Sequence, residues 1–262
     1  MNVHSTRAPQ GAHETRDILG IGVVTLGWQA GLDHLRRLLA DRLFTKISFL
    51  NAHNANVACT DRQFADALQD FLVLPDGIGV DIASKLLYGT PFPANLNGTD
   101  FIPALLGAES QPLTIGLLGA KRVNAEGAAA KLTKLAPQHR FEVVHDGFFS
   151  PAEEPALLER IQHLHPDILL VAMGVPRQEL WISKNITARH TTLPIAVGAL
   201  LDFLSGAVPR APLLMRRLRI EWVFRLAIEP GRLWRRYIFG NPVFLARVLR
   251  QKLTGSTGTP RP

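Results

Sequence analysis

The stretch Leu-Val-Leu-Pro-Asp-Gly-Ile-Gly, residues 72–79, is an apolar run that stops at Pro75 and is followed by a carboxylate and two glycines. A short apolar run bounded by proline and glycine is typical of a buried strand. In α/β proteins, ligands bind where a parallel strand ends and the chain turns towards the next helix. The stretch therefore predicts an α/β fold and makes Asp76 a candidate catalytic residue, with a turn or a helix cap as the alternative role.

The same alternation extends along most of the chain and predicts βαβ units around a mainly parallel, Rossmann-like sheet. The predicted strands are Ile18–Leu26, Lys46–Leu50, Phe71–Leu74, Leu113–Leu118, Phe141–Val144, Ile168–Met173 and Leu193–Val197. The predicted helices, which show amphipathic spacing, are Ala30–Arg42, Asp61–Gln69, Ile82–Leu87, Ala125–Leu135, Ala152–His163 and Gln178–Thr187.

The composition changes after Gly206. Residues 210–252 contain eleven Lys and Arg residues, two acids and six interleaved aromatics, so the net charge of +7 comes entirely from this segment. Pro230 and Pro242 divide it into short helices. We therefore predict a disordered tail over residues 1–16, an α/β core over 17–205, a basic–aromatic helical appendage over 206–252 and a second disordered tail over 253–262.

Three roles compete for the appendage: a solvated helical face, a nucleic-acid surface and an interfacial membrane element. The first does not require so many aromatics, and the second lacks a recognised motif. Arginines for anionic head groups and aromatics for the acyl boundary favour an anionic membrane surface over nucleic acid. No run approaches the roughly 20 apolar residues of a membrane span. Residues 1–16 lack the apolar region of a signal peptide, and the single cysteine cannot form an internal disulfide. These features predict a cytoplasmic protein, peripheral on the inner face of the membrane.

Several motifs are missing from the sequence. It contains neither the Gly-x-x-x-x-Gly-Lys-[Ser/Thr] of a P-loop nor an Asp-x-Asp metal clamp, and its histidines lack zinc-ligand spacing. A Gly-x-Gly-x-x-Gly motif opening a helix is also missing, which ranks a Rossmann-type NAD enzyme last. We therefore predict neither a metal nor a cofactor.

Four polar clusters are expected to meet at one edge of the predicted sheet. Each follows a predicted strand or precedes a predicted helix, where asparagine turns, helix caps and a helix-start proline are the ordinary alternatives. Together they are better explained by one shared cleft, with the helix starts after Gly119 and Gly174 as anion-binding backbone. The clusters are Asn51, residues 75–77, residues 95–100 and residues 174–179.

The clusters and the appendage contain six longer motifs, in this order: Pro75-Asp76-Gly77-Ile78-Gly79, Gly98-Thr99-Asp100, Gly174-x-Pro176-x-Gln178-Glu179-x-Trp181-Ile182, Arg210-Ala211-Pro212, Glu221-Trp222-x-x-Arg225-Leu226 and Glu229-Pro230-x-Arg232-Leu233-Trp234-Arg235-Arg236-Tyr237. With these motifs in order, the sequence resembles the WecG/TagA/CpsF glycosyltransferases, family 26, from about residue 18 to residue 250. Such enzymes transfer a sugar from a UDP-sugar to a polyprenyl-diphosphate-linked acceptor on the inner face of the bacterial membrane, in cell-surface or exopolysaccharide synthesis.

The resemblance implies a role for each matching residue. Asp76 is the general base, and Gln178 lies near the transferred sugar or the diphosphate. The appendage arginines close over the site, and the remaining candidates bind substrate. Two positions depart from the pattern: Phe49 replaces a threonine and Asn95 an arginine, so the identity of the sugar stays open. The candidate binding residues are Asn51, Gly77, Asn95, Asp100, Gly119, Gly174, Gln178, Arg225, Arg232 and Arg235.

The resulting hypothesis is an inverting, metal-independent transfer of a sugar, of N-acetylmannosamine type or another hexose, from a UDP-sugar to a polyprenyl-diphosphate-linked saccharide. The alternative is a catalytically inactive nucleotide-sugar-binding module docked on the membrane. The sequence leaves the oligomeric state open, including a homo-oligomer.

Overall fold

The computed structural model describes residues 13–212, 214–215 and 220–255, without the side chain of Arg232. Eight strands form one sheet in the order β1-β2-β4-β3-β8-β7-β5-β6. Only β1 and β2 pair antiparallel, and all other neighbours are parallel, so the predicted α/β fold is confirmed. The strands are β1 Thr15–Ile18, β2 Ile21–Val24, β3 Lys46–Leu50, β4 Phe71–Pro75, β5 Thr114–Gly119, β6 Arg140–His145, β7 Ile168–Ala172 and β8 Leu193–Ala196.

The first predicted strand, Ile18–Leu26, is wrong, because the chain turns back on itself there. Leu19 and Gly20 have φ values of 55° and 87°, which is the left-handed pair of a tight hairpin turn. The Gly20 amide donates a hydrogen bond of 3.0 Å to Asp17 Oδ1 and so fixes the turn. Strand β1 begins at Thr15, inside the stretch predicted to be a tail.

Nine helices connect or follow these strands up to Ser205 in the described chain. Three have no counterpart among the six predicted ranges: α2, α5 and α9. Helices α2 and α9, of seven and six residues, are too short to show a helical period. Helix α5 follows the cluster at residues 95–100, which was expected to lead into a helix of unstated bounds. The helices are α1 Trp28–Ala40, α2 Ala52–Ala58, α3 Arg62–Leu68, α4 Ile78–Tyr88, α5 Gly98–Ala108, α6 Arg122–Leu135, α7 Glu154–Leu164, α8 Arg177–Asn185 and α9 Leu200–Ser205.

The sheet is buried on both faces, and the two faces contribute to two separate apolar clusters. Leu117 and Leu170 belong to the cluster under α1, α5, α6 and α9. Their chain neighbours Leu118 and Val171 belong to the cluster under the other core helices. This alternation follows from the two-residue period of a strand, and it explains why the strands read as continuous apolar runs.

From residue 220 onwards, the described part of the appendage has helices at Glu221–Ile228, Pro230–Trp234 and Gly240–Thr254, with a π-helical turn at Arg235–Phe239. Its last helix, which we call the terminal helix, packs on the core with Phe244 and Val248 almost completely buried. Arg247 Nη1 donates a hydrogen bond of 2.8 Å to Asn56 Oδ1 on α2. The end of the predicted appendage therefore belongs to the packed core. Among the helices that the structure describes, none has the length and apolarity required to cross a bilayer.

Candidate active site

Asp76 follows β4 at the carboxyl edge of the sheet. Its amide donates a hydrogen bond of 2.9 Å to the Leu50 carbonyl, which continues the pairing of β3 with β4. Gly77 then turns the chain into α4 with a φ of 88°, a conformation that favours glycine. The Gly77 amide donates to Asn95 Oδ1 at 2.8 Å. Asn95, a predicted substrate ligand, therefore fixes the turn that carries Asp76.

Asn51 connects the start of α2 to Asp76. Its Oδ1 accepts hydrogen bonds from the His53 and Asn54 amides, so Asn51 caps the helix. Because Oδ1 is engaged, Nδ2 points the other way and donates to Asp76 Oδ2 at 3.1 Å. Asn51 thus holds one oxygen of the carboxylate in place, a positioning role that accompanies its predicted role as a ligand.

The protonation of Asp76 depends on opposing effects. Burial raises the pKa of Asp76, while the hydrogen bond from Asn51 and the charges of Arg236 and Arg225 act against this rise. A carboxylate with a raised pKa is a stronger base than one in water. The environment of Asp76 is therefore suited to accepting a proton.

A cavity of about 620 Å³ lies between the Asp76 turn and the appendage. We call it the appendage lobe. Most of its wall is apolar and comes from α4 and the appendage. Those apolar residues are Ile78, Ile82, Ile220, Trp222, Tyr237, Ile238, Pro242, Phe244 and Leu245.

A second cavity, of about 590 Å³, lies over the carboxyl ends of β3, β5, β6, β7 and β8. We call it the sheet-edge lobe. Its wall carries polar and charged groups, together with Phe148, whose side chain is 70% exposed. The polar residues of the wall include Lys121, Asn124, Asp146, Arg177, Gln178 and Asp202.

The two lobes meet at Asp76. Among the residues they share, Asp76 is the only carboxylate, and Arg225 and Arg236 are the two permanent cations. The Arg225 guanidinium lies 5.1 Å from the Phe203 ring centre, and this stacking holds it at the junction. The shared residues are Asn51, His53, Asp76, Thr99, Phe203, Arg225 and Arg236.

His53, on the first turn of α2, is neutral at physiological pH. Burial and the charge of Arg236 lower the pKa of His53 to about 4. The cations at the junction are therefore arginines, whose charge does not change with pH.

Asp100 lies in the wall of the appendage lobe and is bound within the protein. Arg210 Nη1 donates to Asp100 Oδ1 at 2.8 Å, and Arg210 also lies 3.7 Å from Glu221. The Asp100 amide is capped by Asn97 Oδ1 at 3.0 Å. Asp100, predicted to bind substrate, therefore contributes to the link between α5 and the appendage.

The remaining predicted residues fall into two groups. Gly174 and Gln178 line the sheet-edge lobe. Gly119 lies behind its wall, where a side chain would not fit: a Cβ atom would lie 2.3 Å from the Ala172 carbonyl oxygen. The close approach of β5 to β7 accounts for this glycine, and the wall is formed instead by Ala120 and Lys121.

The predicted arginines of the appendage also differ in whether they line the cavities. Arg225 lines both lobes, whereas Arg235 is exposed and stacks on Trp234 at 5.3 Å, outside both. Its neighbour Arg236 lines both lobes instead. Adjacent side chains on a helical turn point in different directions, and the sequence does not show which of the two arginines faces the cavity. Arg232 lies in the helix Pro230–Trp234, and its side chain is outside the described part of the structure.

Sequence reasoning did not single out Arg236, Lys121, Arg177 and Phe148 as site residues. Arg177 lies within the cluster at residues 174–179 and Arg236 within the last family motif, whereas nothing in the local sequence distinguishes Lys121 and Phe148 from other surface residues. Among the residues that the structure describes, no three His, Cys, Asp or Glu side chains are grouped to hold a metal ion.

An α/β sheet whose carboxyl edge opens into two unlike cavities, with one carboxylate between them, has the architecture of a ligand-binding site. The family described as "Glycosyl transferase WecG/TagA/CpsF family" matches residues 16–258. The chain belongs to this family, which confirms the resemblance seen in its motifs.

Relatives of known activity match over nearly their whole length. A Bacillus subtilis protein is 31% identical over 252 residues, which cover 95% of this chain and 96% of the relative. A Staphylococcus aureus protein is 28% identical over 240 residues, covering 90% and 92%. Both relatives are named N-acetylglucosaminyldiphosphoundecaprenol N-acetyl-beta-D-mannosaminyltransferase.

Proposed function

We propose that this protein is an inverting, metal-independent glycosyltransferase. It moves a sugar of the N-acetylmannosamine type from a UDP-sugar to a polyprenyl-diphosphate-linked saccharide. The observation that carries the proposal is the place of Asp76 at the junction of a polar lobe and an apolar one. The names of the two relatives support the sugar and the lipid-linked acceptor.

The donor fits the sheet-edge lobe. Lys121 and Arg177 lie in its wall near the starts of α6 and α8, where backbone amides and basic side chains suit a diphosphate. The exposed ring of Phe148 offers a stacking surface for a base. UDP bound here would extend its sugar towards Asp76.

The acceptor fits the appendage lobe. Its apolar wall suits the first isoprene units of a lipid, which gain free energy by leaving water. The saccharide of the acceptor would then reach Asp76 from the side opposite to the donor.

The chemical step is a single displacement. Asp76 takes the proton of the acceptor hydroxyl as that oxygen bonds to the anomeric carbon, while the bond from that carbon to the diphosphate oxygen breaks. UDP leaves with the bonding electrons, and attack from the opposite face inverts the anomeric centre. Arg225 and Arg236 stabilise the charge that develops on the diphosphate. Since these two permanent cations face the leaving group, the step requires no metal ion in this proposal.

The outer surface of the appendage supports attachment to an anionic membrane. Trp234 and Phe239 are exposed, with their ring centres 5.6 Å apart, and Arg235 lies over Trp234. Aromatic rings beside a basic group are typical of elements that lie in the head-group region of a bilayer. A lipid-linked acceptor would then enter the appendage lobe directly from the membrane, on its cytoplasmic side.

The test is Asp76→Asn, which keeps the shape of the side chain and removes the base. We expect transfer from UDP-N-acetylmannosamine to a lipid-diphosphate N-acetylglucosamine to fall by about 10²- to 10⁴-fold, the usual contribution of a general base. UDP affinity, measured by calorimetry, should stay within about twofold because Asp76 contributes no cation to the diphosphate. Wild-type turnover by the variant would refute the assignment. Undiminished turnover in EDTA is expected, and dependence of activity on added metal would contradict the metal-independent step.

A further inference from the structure

Glu179 is a fully buried acid next to the site that the proposed chemistry does not use. It lies on α8 with 0% exposure, and its neighbour Gln178 is 2% exposed. Glu179 Oε1 accepts hydrogen bonds from Ser48 Oγ at 3.1 Å and from Gln178 Nε2 at 2.9 Å. Its Oε2 is buried and has no hydrogen-bond partner among the described residues. A buried carboxyl with one unpaired oxygen lowers the stability of the folded protein. A functional role would explain why the residue is present.

Gln178 connects Glu179 to the walls of the sheet-edge lobe. Gln178 Oε1 accepts the Gly174 amide at 3.2 Å and the Gly198 amide at 3.1 Å. These glycines follow β7 and β8, and both line the lobe. One side-chain amide therefore ties together two turns that belong to different strands.

The orientation of the Gln178 amide depends on its partners. The oxygen and nitrogen of a glutamine amide are similar in size, and hydrogen bonds decide which end points where. If the amide rotated by 180°, its NH₂ group would face the two glycine amides, and donors would oppose donors. Glu179 Oε1 favours the observed orientation because it accepts from Nε2.

We infer that Glu179 is a positioning residue that locks the Gln178 amide and, through it, the two glycine turns that hold the donor. The assignment of these turns to the donor rests on the proposed function, whereas the lock itself does not. Burial raises the pKa of Glu179 to about 7. Near neutral pH, a proton on Oε2 would leave Oε1 free to accept from Ser48 and Gln178. A neutral glutamine should therefore replace Glu179 far better than an apolar residue.

The experiment compares Glu179→Met, Glu179→Gln and the matched control Ile182→Val. Ile182 lies on the same helix and is equally buried, but takes no part in these hydrogen bonds. Hydrogen exchange of the Gly174 and Gly198 amides is measured by NMR with ¹⁵N-glycine labelling. We expect both amides to exchange about tenfold faster in Glu179→Met than in Ile182→Val, as loss of a buried hydrogen bond implies. Glu179→Gln should retain the wild-type rates, and unchanged rates in Glu179→Met would overturn the inference.

Steady-state kinetics distinguish this positioning role from a general loss of stability, which would not change KM for the donor alone. In Glu179→Met we expect KM for the UDP-sugar to rise about tenfold, with KM for the acceptor within about twofold of wild type. In a Gln178→Ala background, Glu179→Met should raise KM for the UDP-sugar little further, because the side-chain amide through which Glu179 acts is already absent. An equal rise in that background would show that Glu179 acts by another route. If UDP-sugar fails to bind even the wild type while the exchange results hold, the donor assignment fails and the lock stands.

A wild-type measurement covers the case in which Glu179→Met does not fold. The Gln178 side-chain amide, observed by ¹⁵N-glutamine labelling, should show one Nε2 proton that exchanges more than about tenfold slower than that of a free amide. Exchange of both Nε2 protons at the free rate would overturn the inference.

Discussion

Asn51 caps α2 through Oδ1 and donates a hydrogen bond to Asp76 through Nδ2. The substitution Asn51→Asp keeps the first of these two roles and removes the second. Aspartate is as good a helix cap as asparagine, so the contacts of Oδ1 with the His53 and Asn54 amides persist. The donor Nδ2, which lies 3.1 Å from Asp76 Oδ2, becomes a second carboxylate oxygen. The fold should therefore remain while the environment of the base changes.

The size of the effect follows from that distance. Two unit charges about 3 Å apart repel each other by roughly 5 kcal/mol at an effective dielectric constant of about 20. Solvent that reaches the half-buried pair reduces this value, and the two acids then share one proton. We expect the base limb of the kcat/KM profile to shift upward by about one to three pH units. Because Asp76 must be ionised to accept a proton, activity at pH 7 should fall and should recover as the pH rises.

The assay is transfer to a lipid-linked acceptor between pH 5.5 and 9.5, with the melting temperature as a second readout. Asn51→Ala is the matched control, because it removes both tasks and should cost about 1 kcal/mol of stability from the lost cap. Asn51→Asp should melt close to wild type. A wild-type pH profile in Asn51→Asp, with normal activity at pH 7, would refute the link between Asn51 and Asp76.

Three further predictions concern the appendage and the donor. Arg236→Ala should lower kcat/KM by about 10²-fold or more because it removes a cation at the leaving group. Arg235→Ala, which changes an exposed arginine, should leave transfer to a soluble acceptor near wild type. Equal losses in the two variants would contradict the assignment of Arg236. Phe148→Ala should raise KM for the UDP-sugar by about 5- to 150-fold, the value of about 1–3 kcal/mol for base stacking, and an unchanged KM would place the base elsewhere. Replacing Trp234 and Phe239 together by serine should weaken co-sedimentation with anionic liposomes without lowering turnover of a short-chain acceptor, and undiminished co-sedimentation would exclude this surface.

The sequence predicted the core strands well because each is an apolar run buried on both faces. Strands β3 to β8 lie within one residue of their predicted ends. The errors fall where local pattern and tertiary structure diverge. Ile18–Leu26 reads as one apolar run, yet Leu19 and Gly20 reverse the chain and give it two strands. By composition the terminal helix belongs with the basic appendage, and only the structure shows Phe244 and Val248 buried against α2 and α4.

The sequence by itself determined the class of fold and the family, and it made Asp76 the candidate base, because strand periodicity and ordered motifs are local properties of a chain. Only the tertiary structure decided how the site is divided. It showed that Asn51 and Asn95 hold the Asp76 turn, and that Arg236 rather than Arg235 faces the cavity. These are relations between residues distant in sequence or between adjacent positions on one helix. They depend on where the strands end in space and on how a helix is rotated about its axis. The sequence of a single segment does not determine either.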